Sequence, residues 1–99
     1  MTITKKTEGQ KLIVAVEGWL DVASTAELEA YLTELGEVKE LLLDFEKLEY
    51  ISSAGVRTVI TAYKRQKECG GSIAVIKVSD EVMDVFSMTG INRKIDITQ

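Results

Sequence analysis

The stretch ELLLDFEKLEYISSAGVRTVI, residues 40–60, decides how this chain folds. Its first part, ELLLDF (40–45), is a short apolar run with helix-patterned segments on either side. A strand flanked by helices reads as a buried strand running parallel to its neighbour. Beyond Ile51 the period changes. Val56, Val59, Ile60 and Tyr63 recur on one helical face while Arg57, Lys64, Arg65 and Lys67 fall away from it. That helix is expected to stop at Gly70-Gly71, with cations in its last turns where the helix dipole favours them. Ser52, Ser53, Ala54 and Gly55 thus stand where a strand hands over to a helix, and functional groups collect at such places in open α/β sheets.

Outward from this stretch the same alternation continues. Thr2 to Thr7 alternates weakly and breaks at Glu8-Gly9-Gln10 before LIVAVEG (12–18), which reads as a hairpin. Leu12 to Val16 is apolar on both faces, which predicts a central strand covered on two sides. Ser24-Thr25-Ala26-Glu27 has capping-box spacing, and Leu28, Tyr31, Leu32 and Leu35 follow as one buried stripe before Gly36. SIAVIKV (72–78) is a further buried strand. Ser79-Asp80-Glu81 opens a third helix with Val82, Val85 and Phe86 inward and Gly90 closing it, and Lys94 to Ile97 alternates like an edge strand. With no repeat and no linker, residues 1–99 form a single domain of the α/β class, an open mixed sheet with helices packed against it.

Composition narrows the function. A chain of 99 residues, 45% hydrophobic and 28% charged, can bury somewhat over ~60% of its unfolded surface and needs no staples. Its 12 basic residues against 16 acidic ones leave a net charge of −4, which argues against direct binding of nucleic acid or an anionic membrane. The single cysteine, Cys69, fits a reduced cytoplasm. MTITKKTEGQ at the N-terminus lacks the apolar run of a signal peptide, and no later run approaches the ~20 residues of a membrane span. The absence of histidine removes the commonest general base and metal ligand, so the chain reads as a non-enzyme with no cofactor of its own.

Each conspicuous residue has a plain reading and a sharper one. A serine before a helix is foremost an N-cap, and residue physics alone favours that for the Ser52-Ser53 pair. If one hydroxyl caps, the other is left at the helix mouth, where free N–H groups and the dipole suit a phosphate, and Ala54 and Gly55 leave room for another molecule to approach. Asp44 with Glu46, and Asp80 with Glu81 and Asp84, read as turn and helix-dipole acids before they read as carboxylate pairs for catalysis or metal. Lys64, Arg65 and Lys67 form a solvated helix face or a dock for an acidic partner. Trp19 packs over the sheet's end or anchors a partner, with packing preferred. Met83, Phe86 and Met88 at helical spacing read as core, and Cys69 as a passive thiol.

Three segments carry a resemblance. Gly18-Trp19-Leu20-Asp21 followed by Thr25-Ala26, then LLLDFEKLEYISSAGV (41–56), then FSMTGI (86–91), resemble in order and separation the signatures of the STAS domain, in particular the bacterial anti-sigma factor antagonists. The resemblance spans nearly the whole chain. It implies a partner-switching regulator of transcription. Unphosphorylated, such a protein binds an anti-sigma factor, often itself a serine kinase, and frees a sigma factor. Phosphorylation breaks that complex, and a metal-dependent serine phosphatase restores it.

Laying Gly55 on the motif glycine puts Ser53 on the phosphorylated serine, with Ser52 in place of the motif aspartate, as a rival acceptor, and Ala54 in place of the second hydroxyl residue. The implied partner-binding residues are Asp21, Ser52, Ser53, Ala54, Gly55 and Arg57. Two other roles stay open for a domain of this kind: a permanent subunit of a scaffold or transport complex in which Ser53 only caps, and a binder of a nucleotide or other small ligand.

Overall fold

The computed structural model describes residues 1–34, 36 and 38–99. Strand β1 (Thr2–Glu8) pairs antiparallel with β2 (Lys11–Leu20) through a two-residue turn in which Gly9 takes φ +63°, a conformation natural to glycine. Helix α1 (Val22–Glu34) follows, then β3 (Glu40–Asp44), β4 (Leu48–Ile51), α2 (Ser53–Glu68), β5 (Ser72–Ile76) and α3 (Asp80–Thr89). A short 3₁₀ turn (Ile91–Arg93) leads into β6 (Asp96–Ile97). The six-stranded sheet runs β1-β2-β3-β5-β6, parallel except for β1, with β4 paired separately to β2. This is the mixed α/β architecture expected from the alternation of strands and helices.

The two faces of the sheet differ. Leu12, Val14 and Val16 of β2, Leu41 and Leu43 of β3 and Val75 of β5 are buried beneath Leu28 and Leu32 of α1, Val56, Val59 and Ala62 of α2, and Val82 and Phe86 of α3 in one hydrophobic cluster. Phe45, just past β3, stacks on Phe86 with ring centroids 6.3 Å apart. On the other face Ile13, Ala15, Leu42, Ala74 and Ile76 are only half-buried and lie outside that cluster. The expectation that β2 is covered on two sides is therefore wrong. The second set of apolar side chains stays partly exposed, outside the hydrophobic cluster that the helices cover.

Several boundaries differ from the sequence reading for local reasons. Helix α1 begins at Val22, because Asp21, whose Oδ1 accepts from Ser24 N–H, stands at its start and Ser24 lies inside it. Leu35, expected on the inner stripe of that helix, falls outside the described residues. β4 went unrecognised because Leu48 and Ile51 are buried and Glu49 and Tyr50 exposed, a spacing without the period of two that marks a strand. β5 stops at Ile76, since Lys77 turns the chain with φ +58°. Helix α2 buries two polar residues that apolar periodicity passes over, Thr58 and Gln66. Gln66 Nε2 donates to Val38 O at 2.9 Å and to Ser72 O at 2.8 Å, tying the helix to the segment before β3 and to the start of β5.

Candidate functional site

β2 is long enough to serve two partners in turn. Its first half, Lys11–Ala15, pairs with β3, while Gly18 to Leu20 pair with β4. The change occurs at Gly18, where φ is +98° and the register shifts, a backbone that a side chain rarely adopts. Gly18 N–H then donates to Lys47 O at 3.0 Å, which draws β4 alongside. The C-terminal end of β4 reaches Ile51 opposite Leu20, and Ser52 N–H donates to Leu20 O at 2.9 Å. The kink thus fixes where α2 begins.

The two serines are not equivalent. Ser52 has extended backbone (φ −88°, ψ 172°) and is the N-cap of α2. Its Oγ accepts from Gly55 N–H at 3.1 Å and donates its one proton to Leu20 O at 3.1 Å. Both capacities of that hydroxyl are in use and the residue is half-buried. Ser53, the first residue of α2, is exposed, and its hydroxyl has no hydrogen-bond partner among the described residues. Serine at position 52 can do the capping that an aspartate does, since both rank among the best N-caps. The helix is therefore capped without a negative charge at this position.

Gly55 serves the chain's own packing. A Cβ there would stand 2.7 Å from Ile51 Cγ1 and 3.0 Å from both Leu20 Cγ and Leu20 O. The room expected at this glycine for an approaching molecule is filled from inside by β2 and β4. Ala54 is half-buried and Arg57 is exposed one turn beyond Ser53.

Asp21 lies one residue past the Leu20 carbonyl that receives Ser52. Its Oδ1 accepts from Ser24 N–H at 3.0 Å, and Asp21 N–H donates to Ser24 Oγ at 2.9 Å, so the reciprocal box at the start of α1 is Asp21 with Ser24. Ser24 Oγ stands 2.9 Å from Trp19 O, 3.0 Å from Asp21 Oδ1 and 3.3 Å from Asp21 O, three acceptors competing for one proton. The Ser24 backbone N–H, and after it the Ser24 hydroxyl, hold the Asp21 carboxyl below its ordinary value of 3.8.

The packing expected of Trp19 is not found. Trp19 is 58% exposed and Tyr50 46%, their rings 5.4 Å apart, and Trp19 Nε1 donates to Glu49 Oε2 at 3.3 Å. Val22, at the start of α1, is 75% exposed. Tyr50 and Val22 were not singled out from the sequence; recognition of β4 would have placed Tyr50 beside Trp19. At most ~10 Å of extended chain separates Tyr50 from Ser53, so the aromatic pair, Asp21, Ser53 and Arg57 belong to one end of the sheet.

The remaining candidates fall elsewhere. Asp44 Oδ1 accepts from Glu46 N–H at 3.0 Å and its other oxygen lies 4.0 Å from Lys77 Nζ, so it holds a turn. Asp80 and Glu81 occupy the first turn of α3 behind the Ser79 cap. Among the described residues no three metal-ligating side chains converge. Arg65 Nη1 donates to Thr33 Oγ1 at 3.4 Å and Lys67 Nζ sits 5.5 Å from the Tyr63 ring centroid, which ties two of the basic face's cations to their own chain. Cys69 is half-buried with its thiol 3.4 Å from Gln66 O. Met88, expected in the core, is 85% exposed, because it lies off the Val82–Phe86 stripe of α3.

Comparison with known proteins places the chain as a whole. The STAS domain model matches residues 2–99. BtrV of Bordetella bronchiseptica, named provisionally as an anti-sigma factor antagonist, is 31% identical over 93 residues, covering 91% of this chain and 79% of its own. The anti-sigma-B factor antagonist of Bacillus subtilis is 26% identical over 99 residues, covering 99% of this chain and 91% of its own. Among solved structures, the anti-sigma factor antagonist SpoIIAA in its unphosphorylated form superposes with a TM-score of 0.84 at 19% identity, over 99% of this chain and 89% of that one. No described helix is long and apolar enough to cross a membrane.

Proposed function

Since this chain belongs to the STAS domain family, we propose that it is an anti-sigma factor antagonist that docks its partner over the Ser53 end of the sheet and is switched off by phosphorylation of Ser53. The observation that carries this reading is the division of labour between the serines: Ser52 is engaged as donor and acceptor, while Ser53 is exposed with its hydroxyl free of partners among the described residues. The names of the relatives from Bordetella and Bacillus support the antagonist role.

In the switching step a partner serine kinase transfers the γ-phosphoryl of ATP to Ser53 Oγ. The Oγ–P bond forms, the bond to the β-phosphate oxygen breaks, ADP leaves and the hydroxyl proton is released. A metal-dependent serine phosphatase returns Ser53 by hydrolysis. ATP and the metal belong to those partners, and the setting is the cytoplasm.

The phosphate adds about −1.5 to −2 charges. A partner carboxylate ~4 Å away at an effective dielectric near 20 then opposes binding by several kcal/mol. Each ~1.4 kcal/mol is tenfold in affinity, so one such clash suffices without a change of fold. Trp19 and Tyr50 offer the large aromatic contacts that dominate protein interfaces, at the same end of the sheet as Asp21, Ala54 and Arg57.

Calorimetric titration of the purified anti-sigma partner tests the reading. Wild type and Ser53→Ala are expected to bind alike, and Ser53→Asp at least ~10-fold more weakly. Equal affinity of Ser53→Asp and wild type would overturn it.

A further inference from the structure

Resting on the reading of Ser53 as the phosphate acceptor, we propose that Arg57 is the phosphate's partner within the same chain: once Ser53 is phosphorylated, the guanidinium folds back onto it and is withdrawn from the docking surface.

Ser53 and Arg57 are four residues apart in α2. Side chains at that spacing lie on one helical face with Cβ atoms ~5–6 Å apart. Both residues are exposed. The Arg57 guanidinium has no hydrogen-bond or ion-pair partner among the described residues; the contact recorded at this residue is at its carbonyl, which accepts from Thr61 Oγ1 at 3.0 Å. On the same helix, Arg65 is tied to Thr33 and Lys67 lies over Tyr63, so the helix's later cations Arg65 and Lys67 are engaged where Arg57 is not.

The acids that could compete for Arg57 have work of their own. Glu29 Oε1 lies 3.1 Å from Thr58 Oγ1, Asp21 caps α1, and Glu49 accepts from Trp19. Arg57 is therefore free to meet a partner's carboxylate while Ser53 is unmodified. A phosphate four residues earlier offers it a nearer dianion and a bidentate geometry. The switch then removes an attraction from the interface as well as adding a repulsion, and the partner is expected to carry an acidic side chain facing Arg57.

The test uses full-length protein with phosphoserine installed at position 53 during translation, so it does not depend on any kinase. The second ionisation of phosphoserine, near ~6 when unperturbed, is followed by phosphorus-31 resonance in wild type, Arg57→Gln and Arg57→Lys. The acids near the start of α2, Glu29, Asp21 and Glu49, are common to all three proteins.

A single opposite charge at ~5 Å in water, screened at ~0.1 M salt, lowers the phosphate value by about 0.4 unit. Wild type is expected to titrate lower than Arg57→Gln by that amount. Arg57→Lys is expected to recover most of the shift, and the difference to close in ~1 M salt, where the screening length falls to ~3 Å. Coincident curves for wild type and Arg57→Gln would refute the pairing. Failure of a kinase to label Ser53 would instead count against the functional reading, leaving this result intact.

Discussion

Replacing Ser52 with alanine separates the roles of the two serines. The substitution removes the oxygen that accepts from Gly55 N–H at 3.1 Å and a hydroxyl proton directed at Leu20 O. Loss of a serine N-cap costs typically ~1 kcal/mol, within a range of about 0.5–2. The Leu20 carbonyl still receives Ser52 N–H at 2.9 Å, so it is not stranded and adds little. The expected loss is about 1–2 kcal/mol, a fall in melting temperature of roughly 5–12 °C for a domain this small. Ser53→Ala removes an exposed hydroxyl without partners and is expected to stay within ~0.5 kcal/mol of wild type. Ser52→Asp preserves the cap and places a negative charge at the helix N-terminus, so it is expected to match wild type or exceed it by a few tenths of ~1 kcal/mol. Urea unfolding of the three variants, followed by circular dichroism, gives the ranking. A Ser53→Ala protein as destabilised as Ser52→Ala would refute the assignment of the cap.

Other consequences follow from the same packing. Gly55→Ala forces a methyl to within 2.7 Å of Ile51 Cγ1 and 3.0 Å of Leu20 O, and is expected to destabilise by about 1–3 kcal/mol in the same urea assay. Gln66→Leu leaves Val38 O and Ser72 O without this donor and is expected to cost about 1–3 kcal/mol, with amide exchange accelerated before β3 and at the start of β5. The carboxyl of Asp21 is held low by Ser24, so its contribution to stability is fully present above the ordinary value of 3.8 and is lost as pH falls through its lower folded value. Stability of Asp21→Asn measured down the acid limb should therefore decline less steeply than that of wild type.

The sequence was most legible where a period was sustained. Val56 and Val59 on α2, and Leu41 with Leu43 on β3, sit in the core where apolar spacing places them, while Ile60 and Tyr63 of the same helical face are only partly buried against it. The same logic overreached at Ile13 and Leu42, because an apolar residue on a sheet's second face reads identically whether a helix covers it or its neighbours only partly shield it. Polar residues buried for hydrogen bonding, Thr58 and Gln66, carry no periodic signal at all. At the site, residue physics allowed either serine to be the cap, since both are good N-cap residues. The tie was broken by Leu20 O, a carbonyl on a distant strand that only the Gly18 kink brings within reach of Ser52. Trp19 and Tyr50 became a pair for the same reason, through a strand pairing that short-range pattern could not anticipate.

The most direct test is to phosphorylate the protein with its cognate kinase and ATP and to locate the label by fragmentation mass spectrometry, in wild type and in Ser53→Ala. The phosphate is expected on Ser53 alone in wild type and to be absent from Ser53→Ala. Phosphate found on Ser52 in either protein would contradict the account, since the hydroxyl assigned to the cap would then be the one that reacts.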